Sequence, residues 1–476
     1  MIPMPLSEIA AVTGGRVHPA GEGDLVVRSE VVTDSREAEP GSLYVARVGE
    51  HADGHDFVGP ARDNGAVAAL TDREVPELPC VVVDDVQDAF AALGRAVVDR
   101  CAANDGLRIV GITGSSGKTS TKDLMAQVVA HLGETIAPIA SYNSEVGVPL
   151  TVCRLVETTE FLVAEMGASG VGHIDYLTRI APPQIGVVLN VGRAHLGEFG
   201  SREAIAHTKA ELVRALPADG LAVLNADDER VAAMAAQTQA RVVTYGVGPD
   251  AGDVFATDVE LNALGQPSFT LHLPGERPQP VTLRLHGRHH VSNALAVAAV
   301  ATEWGMPPVQ LAHALGRAGA MSRWRMEVHE RPDGVIVVND AYNANPDSMA
   351  AALRSLSAMR HHGRTVAVVG EMRELGEESE ADHRDVGALA AELGIDVVVA
   401  VGEGARPVLE GYAAAPAGQE RQAHYAADVD EARPLLDGML AAGDVVLLKS
   451  SRDSGLRHLG DALVGTDGGV HEEAAG

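Results

Sequence analysis

Gly111-Ile112-Thr113-Gly114-Ser115-Ser116-Gly117-Lys118-Thr119-Ser120 is the stretch on which the rest of the chain turns. An apolar run, residues 109–113, leads into it. A helical pattern over residues 119–132 leads out, with Leu124, Val128 and Leu132 at four-residue spacing and Gly133 as its stop. Strand, glycine-rich loop and helix in that order make a phosphate loop. Gly114 and Gly117, with Ser115, Ser116 and Ser120 between and after them, let backbone N–H groups turn towards phosphate. The helix N-terminus adds partial positive charge. Lys118 can reach the β- and γ-phosphates, and the Thr119 hydroxyl can ligate magnesium. Gly111 lies six residues before Gly117, one more than the common spacing.

Around this loop, apolar strands alternate with helices. Residues 161–164, 185–189 and 221–224 are continuous apolar runs, as expected of a parallel sheet covered on both faces. Residues 269–273 and 281–285 alternate instead and flank Pro274-Gly275, which reads as an inserted antiparallel piece. Upstream, runs at 43–46, 66–70 and 80–83 suggest a small mixed α/β domain, and Asn104-Asp105-Gly106 is a turn at its end. Downstream of 319–322, runs at 335–338, 365–369, 397–401 and 445–448 suggest a second, Rossmann-like α/β unit. The expected fold is therefore α/β in three domains: 1–103, a central phosphate-loop ATPase domain over 104–319, and 320–476. The length of 476 residues suits about three domains.

Composition limits the partners. There are 66 acidic and 37 basic residues, a formal charge of −29. A field of that sign repels phosphate backbones and anionic lipid, which argues against nucleic acid and membrane surfaces. It also means that an anionic substrate needs local positive charge or a metal. Aromatics are 3% of a chain that is 46% hydrophobic, so the cores must be built from Ala, Val and Leu. Cys80, Cys101 and Cys153 are far apart and odd in number, which suits a reducing compartment without a disulfide framework. Residues 1–15 lack a signal-peptide pattern and no stretch reaches membrane-spanning length, so the expectation is a cytoplasmic protein, monomeric by default.

Further candidates gather at strand ends, where sites in open α/β sheets form. Glu165 follows the run 161–164 and could hold a magnesium ion; taken alone it is as well read as an exposed strand-end glutamate. His195 follows another strand end in Asn190-Val191-Gly192-Arg193-Ala194-His195. Lys209 lies in a helical stretch, 203–216, where an ordinary solvated lysine is the plain alternative. Ser292 or Asn293 could simply cap the Ala-rich helix that follows. Asp340-Ala341-Tyr342-Asn343-Ala344-Asn345-Pro346 is a polar turn after a strand.

Taken together these segments resemble the Mur ligases, which build the peptide of bacterial cell-wall precursors. The resemblance spans almost the whole chain. TGSSGKTS, AEMGASG around Glu165, NVGRAHLGEFGS around His195, TKAEL around Lys209 and HGRHHVSNALA fall in that family's order, followed by the Arg325 region. DSREAEPGSLYVARVGEHADGHDFV is similar to a UDP-sugar domain, NSEVGVPLT to a substrate segment, and NDAYNANPDSM, GEMRELG and GDVVLLKSSR to the family's last domain. The DNPR motif of the member that adds a diamino acid is absent.

The resemblance implies an ATP-dependent, magnesium-dependent amide-forming ligase of peptidoglycan synthesis. Its substrates would be UDP-N-acetylmuramoyl-tripeptide and D-alanyl-D-alanine, joined through an acyl phosphate. It implies Lys118 on the ATP phosphates, Thr119 and Glu165 on magnesium, and His195 near a second magnesium. Lys209 would be carbamylated into a metal-binding anion. Asn293, Arg325 and Asp340 would line the nucleotide, Ser35 and Arg36 the uridine diphosphate, Asn143 the sugar–peptide, and Asn343 and Asn345 the substrate side of the last domain. Four departures stand out: Ser115-Ser116 for Thr-Asn, Gly197 for an acid, Glu371 for Asp, and Ser450 for Gly. A regulator without catalysis would not need Lys118, Thr119, Glu165, His195 and Lys209 together.

Overall fold

The computed structural model describes residues 1–49, 52–103, 106–193, 196–359, 362–414 and 421–465. It is a mixed α/β structure with three main sheets. The first is five-stranded, in the order Arg16–His18, Cys80–Val82, Ala68–Thr71, Leu43–Val45 and Val31–Val32, parallel except where Arg16–His18 joins. Its helix Val86–Ala102 leaves on the side of the central sheet, and one continuous core runs from Ile2 and Phe90 to Leu162 and Leu212. Gly94 makes this contact possible, because a Cβ there would lie 2.8 Å from Val152 Cγ2.

The central sheet has nine strands. Arg108–Thr113 lies between Phe161–Glu165 and Ile185–Val188, all parallel, with Ile112 opposite Glu165 and Thr113 opposite Val188. The carboxyl ends of these three strands therefore meet at one edge. The alternating segments form strands Pro267–His272 and Gln279–Thr282. They are the expected antiparallel piece, and they extend the central sheet itself. Val254–Leu261 pairs parallel with Arg241–Val247 and antiparallel with Pro267–His272, so the parallel sheet simply continues into them.

Helix Arg202–Arg214 packs on this sheet where Gly111 and Gly186 are paired neighbours. A Cβ on Gly111 would lie 2.9 Å from Leu212 Cδ1, and one on Gly186 would lie 3.2 Å from Leu212 Cγ. The two glycines thus let the helix that carries Lys209 lie close to the strand that feeds the phosphate loop.

The phosphate-loop helix is Lys118–Val129, which ends three residues earlier than the apolar spacing suggests. His131 and Leu132 instead donate to the carbonyls of Val128 and Val129, a tightened i to i+3 ending. The third sheet is six-stranded, in the order Glu327–Glu330, Ile336–Asn339, Val445–Lys449, Thr365–Val369, Val397–Val401 and Gln422–Ala426. All its pairs are parallel except the first. Cys80, Cys101 and Cys153 are buried and free, and burial pushes the Cys153 thiol up to about 12. Among the described residues no helix is long and apolar enough to cross a membrane.

Candidate active site

A cleft of about 970 Å³ lies where the three sheets' loops meet. Its floor is the phosphate loop: Ser115, Ser116, Gly117, Lys118, Thr119 and Ser120 all line it. Gly117 holds φ at 80°, a left-handed turn that favours glycine, and no side chain caps the helix behind it. The free N–H groups of that first helical turn therefore point at an anion site. Lys118 folds back over the loop, with Nζ donating to the Gly114 carbonyl at 2.8 Å. Burial pulls its pKa below the usual lysine range.

A side chain from the neighbouring strand fixes the loop. Asn190 Oδ1 accepts the N–H groups of Ser115 at 3.0 Å and Ser116 at 2.9 Å, and its Nδ2 donates to the Ser116 carbonyl at 3.1 Å. Ser115 Oγ in turn accepts the Gly192 N–H at 2.9 Å. Asn190 was quoted in its motif above without a role. Nothing local in the sequence marks the role, because the partners lie 74 and 75 residues away.

Glu165 is the last residue of its strand and is 1% exposed, so the surface reading of this carboxylate fails. Its Oε1 accepts from Asn143 Nδ2 at 2.6 Å and Thr119 Oγ1 at 3.3 Å. Its Oε2 is buried with no hydrogen-bond partner among the described residues. A buried carboxylate oxygen left open beside a hydroxyl and a phosphate loop fits a divalent cation. Among the described residues, no three His, Cys, Asp or Glu side chains cluster as a ready metal cage.

Lys209 is only 6% exposed, which removes the solvated-lysine reading. Burial, and then the nearby Lys118 charge, push its pKa well below the ordinary lysine value. Two residues further on, buried Glu211 accepts the backbone N–H groups of Gly172 at 2.7 Å and Asp175 at 3.0 Å. It thereby caps helix His173–Ile180 and fixes the glycine-rich turn before it, of which Gly167, Ser169 and Gly172 line the cleft.

The opposite wall comes from the last domain. Asp340 Oδ2 pairs with Lys449 Nζ at 2.7 Å, and the same ammonium donates to the Asn343 carbonyl at 3.0 Å. Lys449 is 3% exposed and ends the strand beside that of Asp340. The Arg325 guanidinium stacks 4.3 Å over the Tyr342 ring, and the Tyr342 hydroxyl is 2.6 Å from Ser141 Oγ of the central domain. Asn345 lines the cleft, but its side chain caps helix Pro346–Ala358 in a reciprocal pair with Ser348. Asn293 is not a cap. It lies inside helix His289–Glu303, and its Oδ1 would be 3.1 Å from a Cβ on Gly117. Beside it His289 lines the cleft, with burial pushing its pKa down to about 4.

The cleft thus brings together the phosphate loop, Asn143, Glu165, Asn293, Arg325, Asp340, Asn343 and Asn345. Lys209 lies behind Lys118 and does not line it. Ser35 and Arg36 form a short 3-10 turn of the first domain outside the cleft, with the Ser35 carbonyl accepting from Asn64 Nδ2 at 2.8 Å. His195 lies outside the described residues. Lys449, Tyr342 and Glu211 are site residues that the sequence reading quoted but did not assign.

A phosphate loop facing a Rossmann-like wall across one cleft defines an ATP-dependent enzyme whose site lies between two α/β units. Three family models match the chain: Mur ligase family, catalytic domain, over residues 29–113; Mur ligase middle domain, over 112–301; and Mur ligase, glutamate ligase domain, over 324–452. The chain belongs to the Mur ligase family. It is 46% identical to the UDP-N-acetylmuramoyl-tripeptide–D-alanyl-D-alanine ligase of Mycobacterium tuberculosis, over 98% of this chain and 99% of that protein. The crystal structure of MurF from Acinetobacter baumannii superposes with a TM-score of 0.85 at 31% identity, covering 97% of this chain and 99% of that one. MurF ligase from Thermotoga maritima, solved in complex with ADP, superposes with a TM-score of 0.78 at 28% identity, covering 92% and 98%.

Proposed function

We infer that this chain is an ATP-dependent ligase that joins D-alanyl-D-alanine to UDP-N-acetylmuramoyl-tripeptide in peptidoglycan precursor synthesis. The observation that carries the inference is the two-walled cleft. A phosphate loop with buried Lys118 forms one side, and the Asp340–Lys449 loops form the other.

A carboxylate is a poor electrophile because its oxygen leaves badly. Transfer of the γ-phosphoryl group to it gives an acyl phosphate; the amine then attacks the carbonyl carbon and phosphate departs. Lys118 and the helix N-terminus stabilise the charge on the transferring group, and Asn190 keeps the loop in the shape that presents them. Magnesium, when bound, would neutralise phosphate charge, held by Thr119 and Glu165. Lys209 would assist as a carbamate, for which its burial favours the neutral amine that carbon dioxide needs. His195 would lie near a second magnesium.

Asn293, Arg325 and Asp340 would hold the nucleotide, Asn143 the sugar–peptide, Ser35 and Arg36 the uridine diphosphate, and Asn343 and Asn345 the dipeptide side. We also propose the division 1–103, 104–319 and 320–476, a monomer, and a cytoplasmic location, where the nucleotide substrates are found. Closure of the last domain over the cleft would exclude water, which would otherwise hydrolyse the acyl phosphate.

The test is phosphate release from ATP and magnesium, with the UDP-tripeptide and the dipeptide each omitted in turn. Release that requires both, with a product heavier by the dipeptide, supports the reading. Release with a different amine points to a sister ligase. ATP binding without release under any combination points to a regulator and overturns the reading.

A further inference from the structure

We propose that Gly192, Arg193 and Gly197 form the seat on which the last domain locks over the cleft, with Arg193 and Asp382 as the positioning residues that set its alignment. The proposal goes beyond the ligase reading and borrows from it only the assay of turnover.

Three separate contacts join this segment to the last domain. The Arg193 N–H donates to Asp347 Oδ2 at 2.7 Å. The Arg193 guanidinium donates to Asp382 Oδ1 at 2.6 Å. The Gly197 N–H donates to the Glu374 carbonyl at 3.1 Å. The surfaces meet at backbone distance, and two glycines permit it. A Cβ on Gly192 would lie 2.1 Å from Asp347 Oδ2, and one on Gly197 would lie 2.9 Å from the Gly376 nitrogen. The glycine at 197 therefore has a local reason: a side chain there would hold the two backbones apart.

The charge pair makes the seat selective. The Asp382 side chain is 3% exposed and that of Arg193 is 39% exposed. Asp382 Oδ2 is buried with no hydrogen-bond partner among the described residues. With the two surfaces in contact the carboxylate depends on Arg193, and a buried charge stripped of its partner is strongly unfavourable. Neither side chain lines the cleft, so any effect on turnover must pass through alignment of the two walls.

The test compares Arg193→Ala, Asp382→Asn and the double variant in the full-length protein. Allowing for the solvent around Arg193, Arg193→Ala is expected to lower kcat about 10-fold. ATP affinity, set elsewhere, should stay within about twofold. The double variant should recover to the level of Asp382→Asn alone, because the unpaired buried carboxylate is gone. Losses that simply multiply, or an Arg193→Ala enzyme that matches the parent, would overturn the proposal. Should Arg193→Ala melt early, Arg193→Lys keeps the charge and should retain most of the activity. Small-angle scattering with ADP and magnesium reads closure without any ligase substrate. The parent should be compact and Arg193→Ala more extended, so failure of the latch is distinguishable from failure of the ligase reading.

Discussion

Asn190 and Ser116 grip each other twice: Asn190 Oδ1 accepts the Ser116 N–H at 2.9 Å, and Asn190 Nδ2 donates to the Ser116 carbonyl at 3.1 Å. The two peptide units that flank the Ser116 Cα are thus both held by one side-chain amide, which leaves the loop little freedom before ATP arrives. Replacing Asn190 by Ala strips four hydrogen bonds from a part-buried loop, each group left unpaired costing about 1–3 kcal/mol less whatever water recovers. We expect ATP affinity to fall at least about 10-fold in Asn190→Ala by titration calorimetry. Asn190→Asp keeps the acceptor but adds a negative charge near the phosphates, and should bind ATP more weakly still. Unchanged affinity in both variants would mean that the loop holds its shape without the clamp.

Lys118→Ala should leave the fold intact and remove turnover. Among the described residues its ammonium makes one hydrogen bond, to the Gly114 carbonyl, so few native bonds are lost. The missing charge at the phosphoryl group should lower kcat by about 10²–10³-fold. Single-turnover phosphate release and a melting curve measured together decide the matter. Near-normal ligation by a normally folded variant would sink the central role given to this lysine.

Glu211 lies on the same helix as Lys209 but serves the other side of the cleft. Its two backbone bonds to Gly172 and Asp175 are charge-assisted caps, so Glu211→Ala should cost about 1–2 kcal/mol in urea unfolding. Because Gly167, Ser169 and Gly172 line the cleft, the KM for the UDP-tripeptide should rise more than the KM for ATP. Equal effects on both would show a general loosening of the domain instead.

The parallel sheet and the phosphate loop were legible because their signals are local. Continuous apolar runs such as Phe161–Glu165 and Thr365–Val369 need no distant partner to be recognised. The carboxyl-end position of Glu165 was also local, but its burial was not. Asn190, Glu211 and Lys449 escaped assignment for the complementary reason. Their partners lie far away in sequence: Lys449 meets Asp340 across 109 residues, and only the adjacency of their strands joins them. The antiparallel strands were seen as well, but alternation reveals only a half-exposed strand; that they extend the central sheet beyond Val254–Leu261 is a matter of pairing. Lys209 looked like any helical lysine. What buries its helix is a pair of glycines on two different strands, Gly111 and Gly186, and their alignment is a property of the sheet.

That buried lysine supports a last prediction, on stability and activity together. In the free enzyme, burial and the Lys118 charge disfavour the Lys209 ammonium, so its folded pKa lies below its unfolded one. The unfolded chain therefore binds the proton more tightly, and the group destabilises the fold below the ordinary lysine pKa of about 10.4. Lys209→Met removes this cost while keeping most of the volume. Its melting temperature, measured without carbon dioxide, should match or exceed that of the parent. The gain should be largest at low pH and fade as the pH rises towards the unfolded lysine value. Ligation should nonetheless be lost. In Lys209→Ala, which leaves space, formate or acetate should restore part of the activity by supplying the anion that a carbamate would have provided. A Lys209→Met enzyme that melts earlier at every pH would mean that the ammonium is paired in solution. Full activity in Lys209→Ala without added carboxylate would leave no role for a carbamate.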